Sequence, residues 1–77
     1  MAALFYRILL HNEPEGGFTV TVPLLPGCVT YGETLEEAKQ MAQEAIELYI
    51  ESLKAHGEPI PTETNVLEYT LTLDAYA

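Results

Sequence analysis

Thr34 stands three residues ahead of Glu37, and beyond the threonine apolar residues recur at three- and four-residue steps: Leu35, Ala38, Met41, Ala42, Ala45, Ile46, Tyr49 and Leu53. A hydroxyl and a carboxylate at that spacing satisfy orphan amides at a helix start, and the recurrence marks one buried face. Glu36, Gln40, Gln43, Glu44, Glu47 and Glu51 take the other side. Gly57 fits the left-handed position that closes a helix, and Pro59 and Pro61 follow where no helix can continue. The pattern predicts a helix from about residue 35 to 56, about 33 Å long. In a chain of 77 residues, everything else must supply one apolar surface to receive that face.

The remaining segments have strand character. Leu4 to Leu10 is apolar on both parities, broken only by Arg7, as a strand with neighbours on both sides requires. It is expected at the centre of a sheet. After the turn-forming Asn12-Glu13-Pro14-Glu15-Gly16-Gly17, residues 18 to 22 alternate Phe, Thr, Val, Thr, Val, a strand with one wet face hairpinned to the first. Pro23 and Pro26 cannot donate to a ladder, and Pro26-Gly27 is a central pair suited to a type II turn. Cys28 to Tyr31 is expected as a short third strand at the sheet edge. Residues 66 to 74 alternate once more, Leu67, Tyr69, Leu71 and Leu73 against Glu68, Thr70, Thr72 and Asp74.

These elements predict a single α+β domain over residues 1–77, of order β-β-β-α-β, with a four-stranded mixed sheet and one long helix packed on one face. The last strand would lie parallel to the first through a right-handed crossover. One helix covers one side, so Leu4, Tyr6, Ile8, Leu10, Phe18, Val20, Val22, Leu67, Tyr69, Leu71 and Leu73 are expected beneath it. Phe5, Arg7, Leu9 and His11 then face the open side.

Three basic residues, Arg7, Lys39 and Lys54, stand against twelve acidic ones, a formal net charge of -9. Such a surface repels phosphate backbones and suits a basic protein partner; no direct nucleic-acid binding is expected. Cys28 is the one cysteine, as in a reducing compartment, and has no base beside it in the sequence to activate it. His11 and His56 lie on different elements without metal-ligand spacing, so no metal or cofactor is expected. The start of the chain lacks the order of a signal peptide and no apolar run approaches membrane-spanning length, which points to a cytoplasmic, non-membrane protein. A domain this small buries a limited share of its surface, which favours self-association.

Taken together, Glu15-Gly16-Gly17-Phe18, Val22-Pro23-Leu24-Leu25-Pro26-Gly27-Cys28-Val29-Thr30, Gly32-Glu33-Thr34-Leu35-Glu36-Glu37-Ala38 and Gly57-Glu58-Pro59-Ile60-Pro61 resemble the HicB family over nearly the whole chain. Members often carry Asp after the first proline of the second stretch, where this chain has Leu24. The resemblance implies a partial RNase H-like fold. It also implies an antitoxin that binds and covers a small basic ribonuclease, HicA. With the self-association that the size of the domain favours, the chain is expected to act non-catalytically as a homo-oligomer, dimer or tetramer. Full-length members usually add a C-terminal DNA-binding module, and nothing follows Ala77 to form one, so direct operator binding is not expected. RNase H chemistry needs converging carboxylates starting in the first strand, and residues 3 to 10 contain none; no catalytic residue is expected.

The candidate residues are therefore interfacial. One group is Phe5, Arg7 and Leu9 on the open sheet face; the other is the acidic helix side with Glu44, Glu47 and Glu51. The alternative is an orphan HicB-like oligomeric scaffold or small-ligand-binding protein without a toxin.

Overall fold

A computed structural model describes residues 4–75. Met1-Ala2-Ala3, where the sequence shows no leader pattern, lie outside them. Three antiparallel strands form a sheet of order β1-β2-β3: β1 (Leu9–Asn12), β2 (Phe18–Thr21) and β3 (Val29–Gly32), followed by helix α1 (Leu35–Ala55).

Local chemistry sets each boundary. At the hairpin, Gly16 N–H donates to Glu13 O and Glu13 N–H to Gly17 O, each at 3.0 Å, with both glycines at positive φ. Between β2 and β3, Cys28 N–H donates to Leu25 O at 3.0 Å and Gly27 has φ of 81°, a turn with Pro at its first central position and Gly at its second. Thr34 caps α1 by accepting from Glu37 N–H at 3.1 Å, while Glu37 Oε1 accepts from Glu33 N–H at 2.6 Å, one residue outside the usual reciprocal partner. At the far end His56 is the C-cap, and Gly57 N–H to Lys54 O and Glu58 N–H to Leu53 O form a Schellman closure. The helix limits agree with the pattern to within one residue.

The helix packs on one face of the sheet. Val20, Ala38 and Ala42 form a buried centre with Ile8, Leu10 and Phe18 against it. A second centre, Val22, Leu25 and Cys28, meets Tyr6, Ile8, Ala45, Ile46 and Tyr49. Two tyrosines clamp the loops to these centres, Tyr6 Oη donating to Pro61 O at 2.6 Å and Tyr49 Oη to Pro26 O at 2.8 Å.

Four expectations are corrected. The first strand begins at Leu9 rather than Leu4 and lies at the sheet edge, because only β2 pairs with it. Residues 66–75 form no strand: a turn closed by Val66 N–H to Glu63 O at 3.1 Å takes the chain off the edge, and without a ladder partner an alternating segment cannot become a strand. The sheet of the described residues thus has three strands, and Leu67, Tyr69, Leu71 and Leu73 are exposed rather than under the helix. Cys28 ends the turn before β3, its amide closing that turn, and its side chain is buried against Val22 and Leu25. Leu35 and Met41, placed on the apolar helix face by spacing, are exposed, since the sheet contacts α1 along the narrower stripe Ala38, Ala42, Ala45, Ile46 and Tyr49.

Candidate functional site

Two surfaces and one edge are available. On the sheet side away from α1, the strand register brings Leu9, Thr21 and Val29 into one row and His11, Thr19 and Tyr31 into the next. Leu9, Val29 and Tyr31 are each about half exposed, at 49%, 55% and 46%. Leu9 thus takes the open-face position expected of it. Sequence alternation alone gives Val29 and Tyr31 no face; the register with Thr21 and Thr19 of β2 places them there. Tyr31 is held across Gly17, where any Cβ would meet its ring, and its hydroxyl donates to Gly16 O at 3.0 Å.

Phe5 is exposed beside the post-helix segment, near Glu63 and Val66. Arg7 is engaged within the fold: its backbone N–H donates to Glu63 Oε2 at 2.6 Å and its Nε lies 3.6 Å from Glu63 Oε1. That separation is an ion pair without a hydrogen bond, and Nε is buried with no other partner.

Glu44, Glu47 and Glu51 are exposed on α1. At about 100° per residue their positions fall within an arc of about 60°, a single acidic stripe. Gln43 Nε2 donates to Glu47 Oε2 at 3.3 Å and steadies its middle. Lys39 pairs with Glu36 one turn earlier at 3.2 Å. The stripe and the open sheet face lie on opposite sides of the molecule, so the fold keeps the two candidate groups apart.

Between α1 and the N-terminal strand segment runs an apolar groove of about 420 Å³, with Leu4, Tyr6 and Ile8 on one wall and Ala42, Ile46 and Ile50 on the other. Sequence spacing could not show it as empty, because the residues expected to fill it come from the last segment. Burial pushes the Cys28 thiol up from its ordinary pKa, away from the thiolate form that reacts. Among the described residues no group of three or more His, Cys, Asp or Glu converges to hold a metal, and no helix is long and apolar enough to cross a membrane.

Comparison with known proteins decides the family. The model for HicB_like antitoxins of bacterial toxin-antitoxin systems matches residues 6–77. The chain belongs to the HicB-like antitoxin family. UPF0150 protein ssr1765 of Synechocystis is 48% identical over 63 residues, covering 82% of this chain and 80% of that protein. UPF0150 protein Ta0767 of Thermoplasma acidophilum is 46% identical over 66 residues, 86% of this chain and 94% of its own. Antitoxin HicB 1 of Photorhabdus laumondii is 38% identical over 56 residues, 73% of this chain but 36% of that longer protein. HicB-like membership points to an antitoxin role, a toxin as partner and a non-catalytic mode of action. The motifs quoted from Glu15 to Pro61 all fall within the matched residues.

Proposed function

We propose that this HicB-like chain neutralises a small basic ribonuclease of the HicA type by covering its RNA-binding surface, and that it does so as a homo-oligomer in the cytoplasm. The observation that carries this reading is the exposed stripe of Glu44, Glu47 and Glu51 on a chain of net charge -9. A ribonuclease that grips RNA does so through cations, and a carboxylate stripe competes for the same cations. Occlusion is stoichiometric and needs no catalytic group. Opposite charges accelerate encounter and set orientation, while the apolar open-face residues Leu9, Val29 and Tyr31 offer the kind of desolvated contact that holds a complex at high salt. Phe5 extends the exposed apolar surface; Arg7, tied to Glu63, contributes by holding that edge in place.

The test is co-expression with the basic protein encoded beside this gene. Stoichiometric co-purification and loss of its RNA cleavage support the reading. Glu44→Lys/Glu47→Lys/Glu51→Lys is expected to slow association at low salt by about tenfold or more. If that variant and Leu9→Ala/Tyr31→Ala both bind and inhibit as the parent does, the reading fails. A second reading, an oligomeric scaffold with no toxin, is favoured by the unfilled groove beside α1 and the exposed apolar residues of 66–74.

A further inference from the structure

Each chain carries an unpaired apolar arm and an unfilled apolar groove. In the arm, residues 66–74, Leu67, Tyr69, Leu71 and Leu73 are 92%, 80%, 75% and 83% exposed and share one parity, with Glu68, Thr70, Thr72 and Asp74 on the other. No proline or glycine interrupts it. In solution, four large apolar side chains in a row do not stay in water when a matching surface exists.

The matching surface lies at the open edge of β1. β1 has one paired side and one open side. Ahead of β1, Glu63 bonds the backbone, its N–H donating to Phe5 O at 3.4 Å and its carboxylate accepting Arg7 N–H at 2.6 Å. Within the hairpin Glu13 N–H donates to Gly17 O, and the register sets His11 against Thr19 and Leu9 against Thr21 on that same bonded parity, so Leu10 and Asn12 turn their N–H and C=O groups to the open edge, where a further strand can pair. Below that edge lies the groove walled by Leu4, Tyr6, Ile8, Ala42, Ile46 and Ile50. A strand added beside β1 with its apolar parity turned toward α1 closes the ladder and fills the groove in one step. Nine residues extend about 30 Å, the length of a helix of this size.

The arm leaves its own edge at the Glu63–Val66 turn, and the molecule is correspondingly drawn out: its radius of gyration is 15.0 Å, against about 11.5 Å for a compact chain of this length. One arm and one acceptor edge per chain are self-complementary, so two copies related by a two-fold axis satisfy both. Charge favours the same route. Two chains of net charge -9 repel, and in residues 66–74 the charged side chains, Glu68 and Asp74, both lie on the parity opposite the four apolar ones.

We infer that residues 66–74 of one copy add as a strand to the open β1 edge of a second copy, with Leu67, Tyr69, Leu71 and Leu73 seated in that copy's groove, and reciprocally. The exchange deepens the oligomeric part of the reading above and does not depend on a toxin.

The test is the mass in solution of the full chain at micromolar concentration, by light scattering or sedimentation equilibrium. The expected result is twice the chain mass of 8.5 kDa. Tyr69→Asp/Leu71→Asp is expected to give a monomer with the helical circular-dichroism signal retained. A dimer assembled from isotope-labelled and unlabelled chains distinguishes exchange from folding back: intermolecular contacts between the Leu71 or Leu73 methyls and Ile46 or Ile50 support it. A monomeric parent chain, an unchanged dimer in the double variant, or arm-to-groove contacts within one chain alone would overturn it. Since none of these readouts includes a toxin, failure here and failure of toxin neutralisation remain separate results.

Discussion

The carboxylate of Glu63 joins the two ends of the fold, accepting the backbone N–H of Arg7 through Oε2 at 2.6 Å while Oε1 stands 3.6 Å from Arg7 Nε. Fifty-six positions separate the two residues in the chain. Glu63 is the buried polar residue among the described ones, and this contact accounts for its burial.

Removing that acceptor leaves a part-buried amide and a buried guanidinium nitrogen without a partner. Glu63→Ala is expected to cost about 1–3 kcal/mol, read from urea unfolding. Glu63→Gln keeps an acceptor oxygen and costs less. Arg7→Ala, which leaves the backbone hydrogen bond in place, costs under about 1 kcal/mol. Equal losses for Glu63→Ala and Arg7→Ala would show that the ion pair, not the backbone bond, is the anchor.

Gly32 and Gly27 fail for different reasons when a methyl is added. A Cβ on Gly32 runs into the backbone of Ala38 and Glu37 at the start of α1, atoms that cannot step aside, so Gly32→Ala forces β3 and α1 apart at about 1–3 kcal/mol. A Cβ on Gly27 meets open space, and its cost comes from φ of 81°, about 1–2 kcal/mol. Gly27→Asn, which tolerates that conformation, recovers part of the loss, whereas Gly32→Asn does not; thermal unfolding of the four variants checks the contrast.

Burial raises the pKa of both Cys28 and Tyr6 above their ordinary values of 9.0 and 10.0. For groups that are neutral when protonated, a folded value above the unfolded one adds stability below the unfolded pKa and loses it as pH rises through the folded one. Stability from these two groups is therefore flat through neutral pH and falls above about pH 9. Unfolding free energy measured from pH 7 to 11 is expected to decline on that limb, and Cys28→Ala to flatten part of it. In the folded protein a thiol reagent at pH 7 should react slowly, and quickly once urea unfolds the chain.

Thr34→Ala removes the oxygen that accepts Glu37 N–H and is expected to cost about 0.5–2 kcal/mol. Thr34→Ser and Thr34→Asp should retain most of the stability, since each keeps an acceptor at the cap. Equal losses for all three would show that the threonine methyl, not its hydroxyl, holds the helix start.

The short-range features were legible because their causes lie within a few residues. Thr34 and Glu37, Gly57 after Lys54, and Pro26 before Gly27 carry their geometry in local spacing, so the helix limits and the turns followed from sequence. Period-two alternation placed Val20 and Leu10 under the helix and Leu9 with Thr21 on the open face, as found. Family membership was likewise written in four ordered motifs, and the match over residues 6–77 agrees with it.

Tertiary structure alone decided which edges pair. Composition put the first strand at the centre, yet β1 is an edge, because an apolar run records burial and not the neighbour that provides it. Here the groove walls bury part of it, and Glu63 bonds the backbone of Phe5 and Arg7. Val29 and Tyr31 joined the open face only through register with Thr21 and Thr19. The alternation of residues 66–74 states that a strand is possible; whether it forms depends on a ladder partner, and the Glu63–Val66 turn directs it away from its own. Local free energies are set by residues a few positions apart and can be read in order. Strand pairing is set by surfaces that meet only after the chain has folded, and those meetings exist in three dimensions before they can be recognised in one.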